Sequence, residues 1–242
     1  KKIAIVFYKS DDFTNGFIGN DKALEAQGYE VIYAKNGKAA LEILKSSKVE
    51  IESLVILSHG TENVIVGPTE NSGIFTENAL QKEAEDKAES KANDEGREAT
   101  QEDIENELAT IKNNGAITTK DFVGINFSSN ATIILGGCNN GLDITTTNSK
   151  TYNYNNSSVI AADLSKSSGA IVIASGDRVE TTGKVIEGKS QPFPAPSEGS
   201  QNQGATPYRQ SDGRWYKFTP DGKSEKLGNS QIINIGTGEL KK

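Results

Sequence analysis

Short apolar runs alternate along the chain with longer amphipathic or polar stretches. Five runs read as buried strands: Ile3–Tyr8, Tyr29–Tyr33, Leu54–Leu57, Ile133–Leu135 and Ala170–Ala174. Segments with helical spacing lie between them. Asp21–Gln27 fits a short helix stopped by Gly28. In Lys38–Leu44, Ala40, Leu41 and Leu44 share one face. Ser158–Ser167 reads as the last helix. Strands alternating with helices predict an α/β domain, a mostly parallel central sheet flanked by helices and joined by right-handed crossovers. Glu62–Gly67 and Gly73–Phe75 read as a hairpin and Thr119–Phe122 as a short turn. Arg214–Phe218, Asp221-Gly222 and Ser230–Ile235 read as a terminal hairpin or edge strands. Residues 188–213, rich in Pro, Gly, Ser and Gln, read as a long loop.

One stretch breaks the rhythm. Thr76 is placed to cap a helix. Beyond it, Ala84, Ala88 and Ala92 recur every four residues, and Ile104, Leu108 and Ile111 follow at helical spacing. Residues 78–115 therefore read as two helices around Asn93-Asp94-Glu95-Gly96, inserted in a single domain spanning 1–242, with 188–242 as a C-terminal loop and hairpin extension. Residues 81–110 hold 11 acidic and 4 basic side chains, an excess equal to the net charge of −7 for the whole chain. The acidity is local. Its plain reading is a solvated helical insertion, and its functional readings are a lid, a maturation site or a docking arm for a partner protein.

Composition narrows the rest. A chain of 242 residues is expected to form one α/β domain, although only 34% of it is hydrophobic. The negative charge argues against nucleic-acid or anionic-membrane binding. No apolar stretch approaches the ~20 residues of a membrane span. One cysteine excludes an intramolecular disulfide, and one cysteine with one histidine excludes a Cys/His zinc cluster, so no cofactor or metal is expected. Lys1–Phe7 enters a strand with no leader, and the chain lacks methionine, which predicts a piece processed from a longer protein, cytoplasmic or secreted; the many Asn and Lys residues with a single Trp fit a bacterial origin.

The candidate chemistry sits at the ends of two strands. In Ala131-Thr-Ile-Ile-Leu-Gly-Gly-Cys138-Asn-Asn-Gly141 a buried run ends in two glycines and then the only cysteine. In Leu54-Val-Ile-Leu-Ser-His59-Gly60 a second run ends at the only histidine. A lone cysteine is commonly a small buried hydrophobe, yet core packing would place it inside the apolar run, not after two glycines. In open α/β sheets, sites assemble at the carboxyl ends of the strands. Ends of parallel neighbours lie about 5 Å apart, within reach of a thiol–imidazole pair. Glycines beside both residues would let backbone N–H groups approach a substrate without Cβ obstruction.

On these residues the chain resembles the caspase-like cysteine peptidases of clan CD, with Ser58-His59-Gly60 and Gly137-Cys138 in that family's order. Asn-Asn-Gly after Cys138 is closer to the Cys-Asn-Thr-Gly of bacterial members than to the Gln-Ala-Cys-x-Gly of animal caspases. Ala161–Leu164, Gly169–Ala174 and Gly213–Pro220 are also similar to caspase-fold domains of large secreted or polymorphic toxin proteins. The resemblance covers about half the chain, residues 50–75 and 128–220. It implies a caspase-like fold and a cysteine endopeptidase that hydrolyses peptide bonds through a thioester, in some cases its own. Cys138 would be the nucleophile, His59 the general acid and base, and the N–H groups of Gly60 and Cys138 the oxyanion donors. Ser175, Gly176, Asp177 and Arg178 would border the pocket for the residue preceding the cut (P1). There Arg178 would favour an acidic side chain and Asp177 a basic one. A cleavable linker after the nucleophile would fall near Asp143 or Lys150. Lys217, Lys223 and Lys226 are too thin a basic patch to predict the inositol polyphosphate site of some relatives. Two other readings stay open: a catalytically inactive caspase-like scaffold presenting the acidic arm, and a flavodoxin-like or receiver-like binding domain with Cys138 buried. A glutamine amidotransferase is disfavoured, because there the cysteine precedes the histidine.

Overall fold

Alternation inside the apolar runs sets the layers. Ile3 and Ile5, Leu54 and Ile56, Ile133 and Leu135, Val172 and Ala174 lie on one face of a sheet, and Ala4, Val6, Val55, Leu57, Ile134 and Ile173 on the other. Both sets are buried, so these runs are apolar on both faces instead of alternating with polar residues. The computed structural model describes residues 1–7, 17, 19–138, 140–141, 159–186, 189–192 and 206–242. Its elements in chain order are β1 (Lys2–Val6), α1 (Asn20–Ala26), β2 (Glu30–Tyr33), α2 (Gly37–Lys45), β3 (Ile51–Leu57), β4 (Val64–Ile65), β5 (Ile74–Phe75), α3 (Glu77–Asp94) and α4 (Gln101–Asn113). They continue with β6 (Ile117–Thr118), a 3-10 turn (Thr119–Phe122), β7 (Phe127–Leu135), α5 (Ile160–Ser168), β8 (Ile171–Ser175), β9 (Val179–Ile186) and β10 (Lys189–Pro192). The last five are β11 (Tyr208–Ser211), β12 (Trp215–Phe218), β13 (Ser224–Lys226), β14 (Ile232–Asn234) and β15 (Glu239–Leu240).

The main sheet has the order β13-β12-β8-β7-β3-β1-β2. β2, β1, β3, β7 and β8 run parallel, and β12 and β13 close one edge antiparallel. The fold is thus α/β, with a mostly parallel central sheet flanked by helices. On one face α2 contributes Ala40 and Leu44, and α5 contributes Ile160, Ala161 and Leu164. On the other, Leu24 of α1 packs beside Val179, Trp215, Ile233 and Ile235. Val179 and Ile233 belong to a second sheet, β10-β9-β11-β14-β15, antiparallel throughout. The sequence reading did not foresee that sheet, and two of its strands, β10 and β11, lie within the stretch read as a long loop. Asp221-Gly222 does turn β12 into β13, but Ile232–Asn234 joins β11 instead of that hairpin.

The predicted hairpin forms as β4 and β5, and β6 adds a third strand beside β5. The acidic insertion forms two helices, α3 and α4. Thr76 caps α3 through the Ala79 N–H, and Leu80, Ala84, Ala88 and Ala92 form its buried face. Ile111 of α4 is buried against it, while Ile104 and Leu108 are half-buried. Small alanines let the two helices approach closely; most of the charge stays on exposed faces, and the buried Glu107 of α4 pairs with Lys91 of α3. Among the described residues no helix is long and apolar enough to cross a membrane.

Candidate active site

β3 and β7 are hydrogen-bonded parallel neighbours, with Ile56 opposite Leu135. The pairing continues one step further, since the Gly136 N–H donates to Ile56 O at 2.8 Å. Ser58-His59-Gly60 and Gly137-Cys138 therefore leave the sheet side by side at its carboxyl rim. A Cβ built on Gly137 would lie 3.0 Å from Ser58 O and 3.3 Å from Gly60 N, so the backbone before the cysteine lies against residues on either side of the histidine. Cys138 and His59 are both half-buried.

Each side chain has defined neighbours. The His59 ring meets Phe17 edge to face, with centroids 5.4 Å apart. Above Phe17 sits the buried guanidinium of Arg209, 4.9 Å from the ring centre, which donates to Asn20 Oδ1 at 2.8 Å. The Cys138 Sγ accepts from the Val179 N–H at 3.3 Å and lies 3.7 Å from Val179 O. The thiol is thus held by the first residue of β9.

The turn after His59 is closed by its own backbone. The Thr61 N–H donates to Val64 O and the Val66 N–H to His59 O, both at 2.9 Å. In this antiparallel bridge Gly60 opposes Ile65 as a non-hydrogen-bonded pair, which leaves the Gly60 N–H outside the bridge. Ser58, fully buried, donates its hydroxyl to Val66 O.

Between the two turns lies Asn140, only 1% exposed. Its Nδ2 donates to Thr61 O at 2.7 Å and to Val64 O at 3.3 Å. A Cβ on Gly60 would come within 2.3 Å of Asn140 Nδ2, and one on Gly137 within 2.5 Å of its Oδ1. The two glycines therefore make room for a carboxamide, a reason that the sequence reading, which assigned them to substrate access, did not contain. Asn140 O accepts from the Ala161 N–H of α5 at 3.2 Å, and the Gly141 N–H donates to Ser175 O at 2.8 Å. The cysteine turn is in this way fastened to the histidine turn, to α5 and to the end of β8.

The turn after β8 shares the rim. Ser175 is fully buried, and its hydroxyl bonds Ser211 Oγ at 2.5 Å and accepts from the Asp177 N–H at 3.0 Å. It braces the turn from beneath. The Gly176 N–H donates to Arg214 O at 3.0 Å, tying the turn to the start of β12. Asp177 and Arg178 are exposed, and Asp177 Oδ1 accepts from the Arg178 N–H at 2.7 Å. Of the predicted site, the structure brings His59, Gly60, Cys138 and the Ser175–Arg178 turn to one rim. Asp143 and Lys150 lie outside the described residues. Lys217 and Lys223 line a separate cleft of about 590 Å³ beside β13, where they pair with Glu225 at 3.2 Å and Asp221 at 2.7 Å. Lys226 bonds Asn229 instead, at 3.2 Å.

Phe17, Arg209 and Asn140 escaped the sequence reading. Phe17 adjoins a polar loop and Arg209 lies in the stretch read as loop. Asn140 looks like an ordinary turn residue, and nothing local signals partners nearly eighty residues away. Among the described residues, no group of three or more His, Cys, Asp or Glu side chains could hold a metal ion. No protein-family model matches the chain, and no curated protein matches it.

Proposed function

We propose that the chain is a caspase-like cysteine endopeptidase working through a His59/Cys138 dyad. The observation that carries the reading is the shared rim: the only imidazole and the only thiol follow adjacent parallel strands, on turns joined through Asn140. The Cys138 sulfur attacks the scissile carbonyl, and its proton passes to His59. The N–H groups of Gly60 and Cys138 stabilise the oxyanion, each such donor being worth roughly 3 kcal/mol of barrier. His59 then protonates the departing amine, leaving a thioester. A water molecule, deprotonated by His59, hydrolyses that thioester and restores the thiol. The backbone N–H of Val179 donates to Sγ and fixes the position of the sulfur against β9 before attack.

The Ser175–Arg178 turn forms one wall of the substrate site in this reading. On that wall an Arg178 contact with the substrate favours an acidic P1 side chain, and an Asp177 contact a basic one.

Fluorogenic peptides with Asp, Arg, Lys or Leu at P1 test both points. Cys138→Ala should abolish cleavage of every peptide while leaving the circular dichroism spectrum and melting curve unchanged. Cleavage that survives this substitution would refute the dyad. The order β2-β1-β3-β7-β8 also fits a flavodoxin-like binding domain. That reading gains if iodoacetamide modifies Cys138 only slowly and peptide aldehydes give no protection.

A further inference from the structure

We infer that Asn140 is a positioning residue whose carboxamide sets the separation of the turns carrying His59 and Cys138. The inference deepens the peptidase reading and rests on it for its catalytic consequence. Three observations support it. First, the histidine turn is already closed by its own two backbone bonds, so the bonds from Asn140 Nδ2 to Thr61 O and Val64 O are not needed to form it. What they add is a link between turns. Second, Gly60 and Gly137 each lack the Cβ that would collide with this amide, at 2.3 and 2.5 Å, so three residues on two turns form one fitted joint. Third, Asn140 Oδ1 is buried with no hydrogen-bond partner among the described residues. An unsatisfied buried acceptor is costly, and packing alone would be served as well by an apolar side chain of similar volume. The donor end therefore gives the residue its value.

Asn140 touches neither the sulfur nor the imidazole in the contacts observed, and it acts through their turns. A displacement of about 1 Å between nucleophile and proton carrier costs on the order of 10²-fold in rate. Asn140→Ala is expected to lower kcat by about that factor while KM changes less than threefold, because the substrate walls are untouched. Asn140→Asp keeps the volume, but donates to Thr61 O only when protonated. Its activity relative to Asn140→Ala should therefore rise as pH falls.

The deciding experiment uses the full chain and two readouts. One is peptide cleavage. The other is the pH dependence of Cys138 alkylation by iodoacetamide, which needs no peptidase activity. His59→Ala defines the profile of a thiol without its imidazole. The inference holds if Asn140→Ala stays folded by circular dichroism and its alkylation profile matches that of His59→Ala. It holds equally if Asn140→Ala does not fold and Asn140→Asp passes to the wild-type profile at low pH. It is overturned if Asn140→Ala stays folded and keeps the wild-type kcat and profile, or, where Asn140→Ala does not fold, if Asn140→Asp shows no pH-dependent recovery. Should the wild type cleave no peptide, the peptidase reading fails, and the alkylation comparison still decides the joint. A wild-type profile identical to that of His59→Ala removes both.

Discussion

Gly141 shows how little room the rim leaves. A Cβ there would meet Ala174 O at 2.8 Å and Ala174 C at 3.0 Å, and both are backbone atoms that cannot rotate away. Gly141→Ala should therefore cost about 1–3 kcal/mol, read as a lower urea midpoint with an unchanged slope. At this scale the sequence was partly legible. His59 and Cys138 stand out because a reactive side chain directly after an apolar run and beside glycine has few packing roles. Asn140 did not stand out, since its short polar side chain suits any turn and its partners Thr61 and Val64 lie more than seventy-five residues away, in and beyond the histidine turn. The buried Arg209 stayed hidden for a related reason. It sits on a four-residue strand, Tyr208–Ser211, in the middle of the second sheet, whose polar composition reads as loop and whose guanidinium is covered by the distant Phe17 and Asn20.

Among the elements, the α3–α4 arm has its own pH response. Asp103 and Thr100 form a reciprocal cap at the start of α4. The Arg97 guanidinium, bonded to Asp103, is the main cause that holds this carboxyl well below the usual carboxylate range, and the Thr100 N–H adds to it. A depressed carboxyl stabilises the fold above its unfolded value near pH 4 and loses that contribution as pH falls toward its folded value. Amide protection in α4, corrected for the intrinsic pH dependence of exchange, should thus fall below about pH 4, whereas in Asp103→Asn it should be low at every pH. An acid response identical in the two proteins would remove the cap from this account. Thr76, the four-residue alanine spacing and the break near Gly96 made the arm readable in advance. The Thr100–Asp103 cap was not recognised, because the usual signature has Glu or Gln at its third position. The five-stranded second sheet escaped for a different reason. Strands of two to four residues such as β11, β14 and β15 carry too little periodicity to distinguish them from turns.

For the molecule as a whole, Tyr29 joins distant parts of the chain. Its hydroxyl bonds Ser53 Oγ at 2.5 Å on β3 and donates to Gly236 O at 2.7 Å near the C-terminus. Burial, the larger cause, raises its pKa above the ordinary 10 despite the bond from Ser53. A raised pKa favours the neutral phenol in the fold, so its contribution is complete below about pH 10 and declines above it. Alkaline unfolding should begin in that range and be shallower in Tyr29→Phe. That variant should also lose about 1 kcal/mol at neutral pH with the bond to Gly236 O. Urea titrations at pH 7 and 11 measure both effects, and parallel curves for the two proteins would contradict them. The central sheet itself was legible at this scale because its strands are apolar on both faces.

The path of the last forty residues works as a lockstitch. The chain leaves the second sheet after β11, lays β12 and β13 into the main one, and returns for β14 and β15. Trp215, fully buried, sits at that crossing with Val179 and Ile233. Neither layer can peel away while the thread holds, so the wall of β9 that carries Val179 against the sulfur cannot swing open like a door on a hinge. Any widening of the space around the half-buried thiol would therefore come from bending within the layer, not from its removal.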